Sequence, residues 1–204
     1  MPARERARMT RVTVGGLLGA IVLPLSACAT GFDRHAITVA WIPALSAEAD
    51  LDEFELNGGV EFDADLDAGD GLWVSARFEG VDDEDDTLFA VEPFYATTSH
   101  TDAFTGAGVD THLLGGMASI GVRIGGDAFA LTPRFGAGVG AAIFDFDSAV
   151  RDTGGALAIG RAVLGIEVAK HAIGELAIGA YLWGWPTETV GTGGFLTLGG
   201  GVQF

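Results

Sequence analysis

The chain has 204 residues, 49% of them hydrophobic, with 32 Gly, 6 Pro, one Cys and a formal net charge of −17. That length suits one domain, or one domain behind a processed leader. A single Cys excludes a disulfide framework and any Cys-based zinc or iron–sulfur site, the hydrophobic share excludes a disordered chain, the glycines follow no Gly-X-Y period and so exclude collagen, and the acidic balance argues against nucleic acid as a partner.

Residues 1–27 read as a signal peptide rather than as fold. Arg4, Arg6, Arg8 and Arg11 make a basic head, and Val12 to Leu25 is an apolar stretch broken by Gly15, Gly16, Gly19 and Pro24. It is shorter than the roughly 20 apolar residues a spanning helix needs, and small residues close it, as in a secretory leader. Its end, Leu25-Ser26-Ala27-Cys28, resembles the bacterial lipobox, which implies a lipoprotein-type signal with Cys28 as the lipidated mature N-terminus. Ala27-Cys28-Ala29 equally satisfies ordinary cleavage, which discards the Cys, and palmitate labelling separates the two. Without the leader the chain keeps seven basic residues against 27 acidic, and Lys170 is the one lysine.

After a short segment over 28–35, residues 36–204 carry no helical period, and alternating runs separated by Gly, Asp and Thr predict strands. Eight are expected in chain order: Ala36–Ser46, Gly71–Gly80, Thr87–Thr98, His112–Ile124, Phe129–Asp145, Ala156–Ala169, Glu175–Trp185 and Gly194–Phe204. Short links are expected around Val81–Asp86, Gly125–Ala128 and Lys170–Gly174, with four longer ones between the other pairs. Short turns at one end and long loops at the other belong to an antiparallel up-and-down transmembrane barrel. Val60-Glu61-Phe62-Asp63-Ala64 alternates too and leaves room for ten strands.

The charges separate a membrane barrel from a soluble one. In the second strand Leu72, Val74, Ala76 and Phe78 share one face, and Trp73, Ser75, Arg77 and Glu79 the other. In the fifth, an apolar face from Phe129 to Ile143 opposes Ala130, Thr132, Arg134, Gly136, Gly138 and Gly140. The more polar face is small residues with isolated charges, which suits the narrow interior of eight strands. The apolar face is an insoluble patch in water and a requirement in lipid. At the chain end Leu196, Leu198, Val202 and the terminal Phe204 share a face, which resembles the final strand that outer-membrane proteins present to the barrel-assembly machinery. Leader, strands and end together resemble the small bacterial outer-membrane β-barrels of the OmpA and OmpX type. The resemblance implies an eight-stranded all-β barrel in the outer membrane of a Gram-negative cell envelope, in contact with outer-membrane lipid and lipopolysaccharide.

Parity places Arg77, Arg123, Arg134 and Arg161 on the inward face with Glu79, Glu92 and Glu167, and Glu175 near them. Confined charges must pair, so an interior ion-pair network is expected, with Arg77–Glu92 the pair across the Val81–Asp86 turn. Trp73, Tyr181, Trp183 and Trp185 also point inward, on strands 2 and 7, either as core filling or as a small apolar pocket at the barrel mouth.

No catalytic residue emerges. Deacylases of this size place a Ser two residues after a His, whereas His35, His100, His112 and His171 are followed at that spacing by Ile37, Asp102, Leu114 and Ile173. Ser119 is about 24 Å along the strand from His112, beyond the reach of a relay. Asp63, Asp65, Asp67 and Asp70 suggest a calcium loop, but Ala68 and Val74 stand where that pattern wants Gly and Glu, so the expectation is a solvated acidic loop and no metal or cofactor. Asp82 to Asp86 is a second solvated run. The leading expectation is a non-enzymatic outer-membrane barrel with a structural or surface-interaction role. The alternatives are a lipid-acting barrel enzyme or apolar ligand binder using the mouth aromatics, and a lipid-anchored soluble carrier barrel.

Overall fold

The computed structural model describes residues 32–50, 63–82, 86–101, 108–146, 153–185 and 188–204. Residues 1–27, expected as a leader, lie outside the described residues, as do Cys28, Val60–Phe62 and Asp83–Asp85. No helix among the described residues is long and apolar enough to cross a membrane.

The alternating runs become β1 (Arg34–Asp50), β2 (Asp63–Val81), β3 (Thr87–Thr101), β4 (Gly108–Val122), β5 (Ile124–Gly125), β6 (Phe129–Phe146), β7 (Thr153–Val168), β8 (Ala172–Trp185) and β9 (Glu188–Gln203). Each pairs antiparallel with its neighbours, and β1 pairs with β9, so the sheet closes. β5 is a two-residue continuation of β4 along β6, leaving eight walls. Closure removes the edges an open sheet exposes and satisfies the backbone without water. The start of β1 and the last residue after β9 meet: Phe204 N donates to His35 O, and His35 N to Phe204 O. They lie at the end that carries the short turns after β2, β5 and β7.

Two expectations about the connections are corrected. Asp63–Asp70 is not a loop but the first half of β2, because β1 runs on to Asp50 and pairs Ala47 with Leu66 and Asp50 with Asp63. This absorbs part of the segment that left room for extra strands, and eight walls close the barrel. β9 begins at Glu188, with only two residues between it and the end of β8 at Trp185, so three long connections remain rather than four. Antiparallel pairing carries these strands past the point where their alternation weakens.

The proline in β1 explains its kink. Pro43 has no N–H to give the ladder, and the register slips there, between Ile42 and Leu45 against β2 and between Trp41 and Ala44 against β9. The β-bulge returns Leu45 to the interior, where it is buried beside Ile42.

The outward face is an oily belt. Ile120, Phe135, Val139, Ile178, Leu198 and Val202 are each more than half exposed, and Val139 reaches 71%. In a soluble protein such a wall would aggregate; in hydrocarbon it is the face a spanning barrel needs. Val139→Arg is therefore expected to lower stability in lipid vesicles by about 2–4 kcal/mol, read from urea unfolding, because the charge would sit against acyl chains. A wild-type-like midpoint would mean that this wall faces water.

Candidate functional site: the closed bore

The inward residues fill the bore in two layers. Toward the short-turn end lies the charged layer. Its members come from six strands and the β5 junction, because alternation brings every second residue of each strand inside. Arg34 reaches Glu79 at 3.2 Å and Glu167 at 2.6 Å; Arg123 holds the other oxygen of Glu167 at 3.1 Å. Arg77 Nε lies 3.2 Å from Glu79, and both Arg77 and Arg134 donate to Glu175 Oε1. Arg161 donates to Glu92 Oε1 at 2.9 Å and to Thr197 Oγ1 at 3.3 Å, and its Nη2 lies 3.8 Å from Glu175. Five guanidinium groups and four carboxylates thus form one connected network among the described residues. Arg77, Arg134, Arg161 and all four glutamates are buried.

The network is uneven. Glu175 is its hub, shared by Arg77, Arg134 and Arg161. Glu79 holds Arg34, Arg77 and Arg134 by proximity alone, since neither of its oxygens has an aligned hydrogen bond. Charge-assisted bonds of the Glu175 kind are about twice as strong as neutral ones.

Arg77, Glu79, Glu92, Arg123, Arg134, Arg161 and Glu167 all lie in this layer. The pairing expected for Arg77 is corrected. Ser75 opposite Phe94 and Phe78 opposite Val91 put Glu92 alongside Arg77, yet Arg77 turns to Glu79 and Glu175, and Glu92 is taken by Arg161 from β7. In a bore this narrow the opposite wall is as near as the neighbouring strand, and Glu175 satisfies two guanidinium groups at once. Arg34 was missed because the first strand was expected to begin at Ala36; continuing the inward parity of Ala36 and Thr38 back by two residues finds it.

Above the charges lies an aromatic layer. Arg161 sits 4.6 Å over the Trp73 ring and joins the two layers by a cation–π contact. Trp73 stacks between Phe94 at 4.6 Å and Phe195 at 5.6 Å; Phe195 meets Tyr181 at 6.5 Å, and Trp183 meets Phe144 at 4.5 Å. Ile42, Leu45, Val109, Leu113 and Leu157 complete the layer. Trp73 and Tyr181 do converge across the bore, but through Phe195, so the space expected as a mouth pocket is filled by rings. Trp73 and Trp183 are 1% and 2% exposed; the side chain of Trp185 lies outside the described residues. Two glycines make the space: a Cβ on Gly179 would come within 2.2 Å of Phe195 Cζ, and one on Gly193 within 2.5 Å of Tyr181 Cζ.

The histidines stand apart from one another. His35 packs edge-on against Phe78 at 5.5 Å. His100 is buried near the long-loop end, with Nε2 2.8 Å from Thr98 Oγ1. His112 faces outward, with Nδ1 2.9 Å from Tyr95 Oη, and His171 Nδ1 lies 3.3 Å from Gln203 O in the β7–β8 turn. Ser119 Oγ is buried on the inward face of β4 without a partner. No metal-binding cluster occurs among the described residues. Asp70 is exposed, and the side chains of Asp63, Asp65 and Asp67 lie outside the described residues.

No family model and no curated protein matches the chain. Solved structures do. OprG from Pseudomonas aeruginosa, an outer-membrane protein, matches with a TM-score of 0.51 at 14% identity, over 84% of this chain and 95% of that one. Neisserial surface protein A matches with a TM-score of 0.50 at 14% identity, over 84% and 97%. Ail of Yersinia pestis, solved in complex with the heparin analogue sucrose octasulfate, matches with a TM-score of 0.48 at 15% identity, over 84% and 98%. The fold is that of the small eight-stranded outer-membrane β-barrels. A closed antiparallel cylinder with an oily exterior and a filled interior is what that fold consists of.

Proposed function

We propose that this chain is a non-enzymatic barrel of the bacterial outer membrane with a structural or surface-interaction role, its bore shut by the ion-pair network and the aromatic layer above it. The observation that carries this reading is the filling itself. Arg161 is 1% exposed and Glu175 4%, and Trp73 closes the bore over them. Eight strands leave room for side chains and no more, so solute passage has no route.

In this reading the outward belt faces outer-membrane lipid, the long connections face outside among lipopolysaccharide, and the short turns and both chain ends face the periplasm. The last strand, ending in the 67% exposed Phe204, is the element offered to the barrel-assembly machinery. Cys28, if retained and acylated, adds a lipid anchor beside β1, and palmitate incorporation into the mature protein tests it.

Purified protein in planar bilayers is expected to give no conductance steps, while lipid A from cells with and without it keeps the same acyl count. Regular steps would show an open bore and overturn the closed-barrel reading; an altered acyl count would make the protein an enzyme.

A further inference from the structure

The last strand carries three glycines in a row, Gly199-Gly200-Gly201, and they fall at the joint where β9 meets β1. Every other joint of the wall lies between strands that follow one another in the chain, with β5 counted as part of β4, so a turn or loop holds it at one end. This joint has no such tie. Its short-turn part is a run of six register pairs, from Ala36–Gln203 to Trp41–Leu198, and the slip at Pro43 ends the run. The mutual bonds of His35 and Phe204 lie at its open end.

Little packs across this run inside the bore. Alternation turns Ala36, Thr38 and Ala40 of β1 inward, opposite Gln203, Gly201 and Gly199. Glycine within a strand offers no side chain to pack and weakens it. Nothing larger fits: a Cβ on Gly201 would stand 2.1 Å from Ile37 O, and one on Gly199 2.4 Å from Ala40 Cα. Thr38 Oγ1 bonds Ser75 Oγ of β2 at 2.7 Å, which ties β1 to its other neighbour.

The low floor leaves room for side chains that cross it. Arg34 starts on β1, and its Nη2 donates to Glu167 Oε1 on β7 at 2.6 Å, over β9 and β8. Along the wall that is three strand spacings, about 14 Å; across a narrow bore the path is shorter. Arg34 Nη1 lies 3.2 Å from Glu79 on β2, so one guanidinium joins the first two strands to β7 across the joint. Arg77 of β2 crosses the same joint deeper in the bore, to Glu175 on β8. Arg123 holds the same Glu167 at 3.1 Å and is about as exposed, 14% against 17% for Arg34. It comes from the β4–β5 junction, however, and crosses only β6.

We propose that Arg34 is a latch for the β1–β9 joint: with it in place the wall stays shut, and without it the barrel opens there, from the short-turn end as far as Pro43. The test is hydrogen exchange, read by mass spectrometry, on the full mature barrel in lipid nanodiscs. Arg34→Gln is expected to speed exchange over 35–41 and 199–204 about tenfold, the effect of losing one hydrogen bond between charged groups. The amides of β4 and β6 are expected to keep wild-type rates. Arg123→Gln is expected to leave the joint at wild-type rates, because its bond to Glu167 does not span it. The compact gel band shows that each variant folds. If Arg34→Gln does not, Arg34→Lys, which reaches one carboxylate instead of two, is expected to give a smaller acceleration at the same amides.

Wild-type exchange at the joint in the Arg34 variants would overturn the proposal. Equal acceleration there by Arg123→Gln would also overturn it, since loss of any charge at the mouth would then suffice. So would acceleration spread evenly over all strands, which would make Arg34 an ordinary member of the network.

Discussion

Glu175→Gln is expected to lower the unfolding midpoint by roughly 10 °C, the largest effect of any single charge change in this protein. Breaking a buried ion pair from one side costs about 3–5 kcal/mol, because the opposite charge stays buried without compensation, and in a chain of this size each kcal/mol moves the midpoint by roughly 2–4 °C. Three guanidinium groups share this carboxylate, and glutamine keeps its shape while removing the charge. The measurement is the temperature at which the compact gel band gives way to the unfolded one. Adding Arg134→Met is expected to recover part of the loss, since it removes one of the stranded charges and puts a packed apolar side chain in its place. A midpoint equal to wild type for Glu175→Gln would mean that the network contributes nothing to holding the barrel closed.

Phe195→Ala is expected to cost about 3–5 kcal/mol by opening a cavity at the centre of the aromatic layer. The ring touches Trp73 on one side and Tyr181 on the other, and lies over Gly179. A double-mutant cycle makes the argument specific. Gly179→Ala is expected to be strongly destabilising in wild type, where its methyl group meets the ring, and less so in Phe195→Ala, where the ring is gone and only Gly160 O at 2.7 Å still crowds the added Cβ. Urea unfolding in vesicles, followed by tryptophan fluorescence, reads all four corners. Additive losses would show that Gly179 and Phe195 do not share the space.

Much of this could be read before the fold was known. Alternation in β2 and β6 separated Trp73, Arg77 and Arg134 from Leu72 and Val139, because side chains of a strand alternate faces regardless of what surrounds them. The short turns were legible too, as was the placing of Arg123 and Glu167 inside. Boundaries were less so. Asp63–Asp70 looked like a loop because its polarity hides the strand, and only pairing with the far end of β1 makes it one. Arg34 was lost for the same reason at the other end of β1.

What the sequence alone determined is therefore which side chains face in and which face out, since that depends only on local backbone geometry. Which partner each inward charge takes was decided by tertiary structure. Closure brings β8 within reach of β2 and β6, and so gives Arg77 to Glu175 rather than to Glu92. Closure also sets Phe195 between Trp73 and Tyr181. Distances across a cylinder depend on strand number and stagger, and no single strand carries that information.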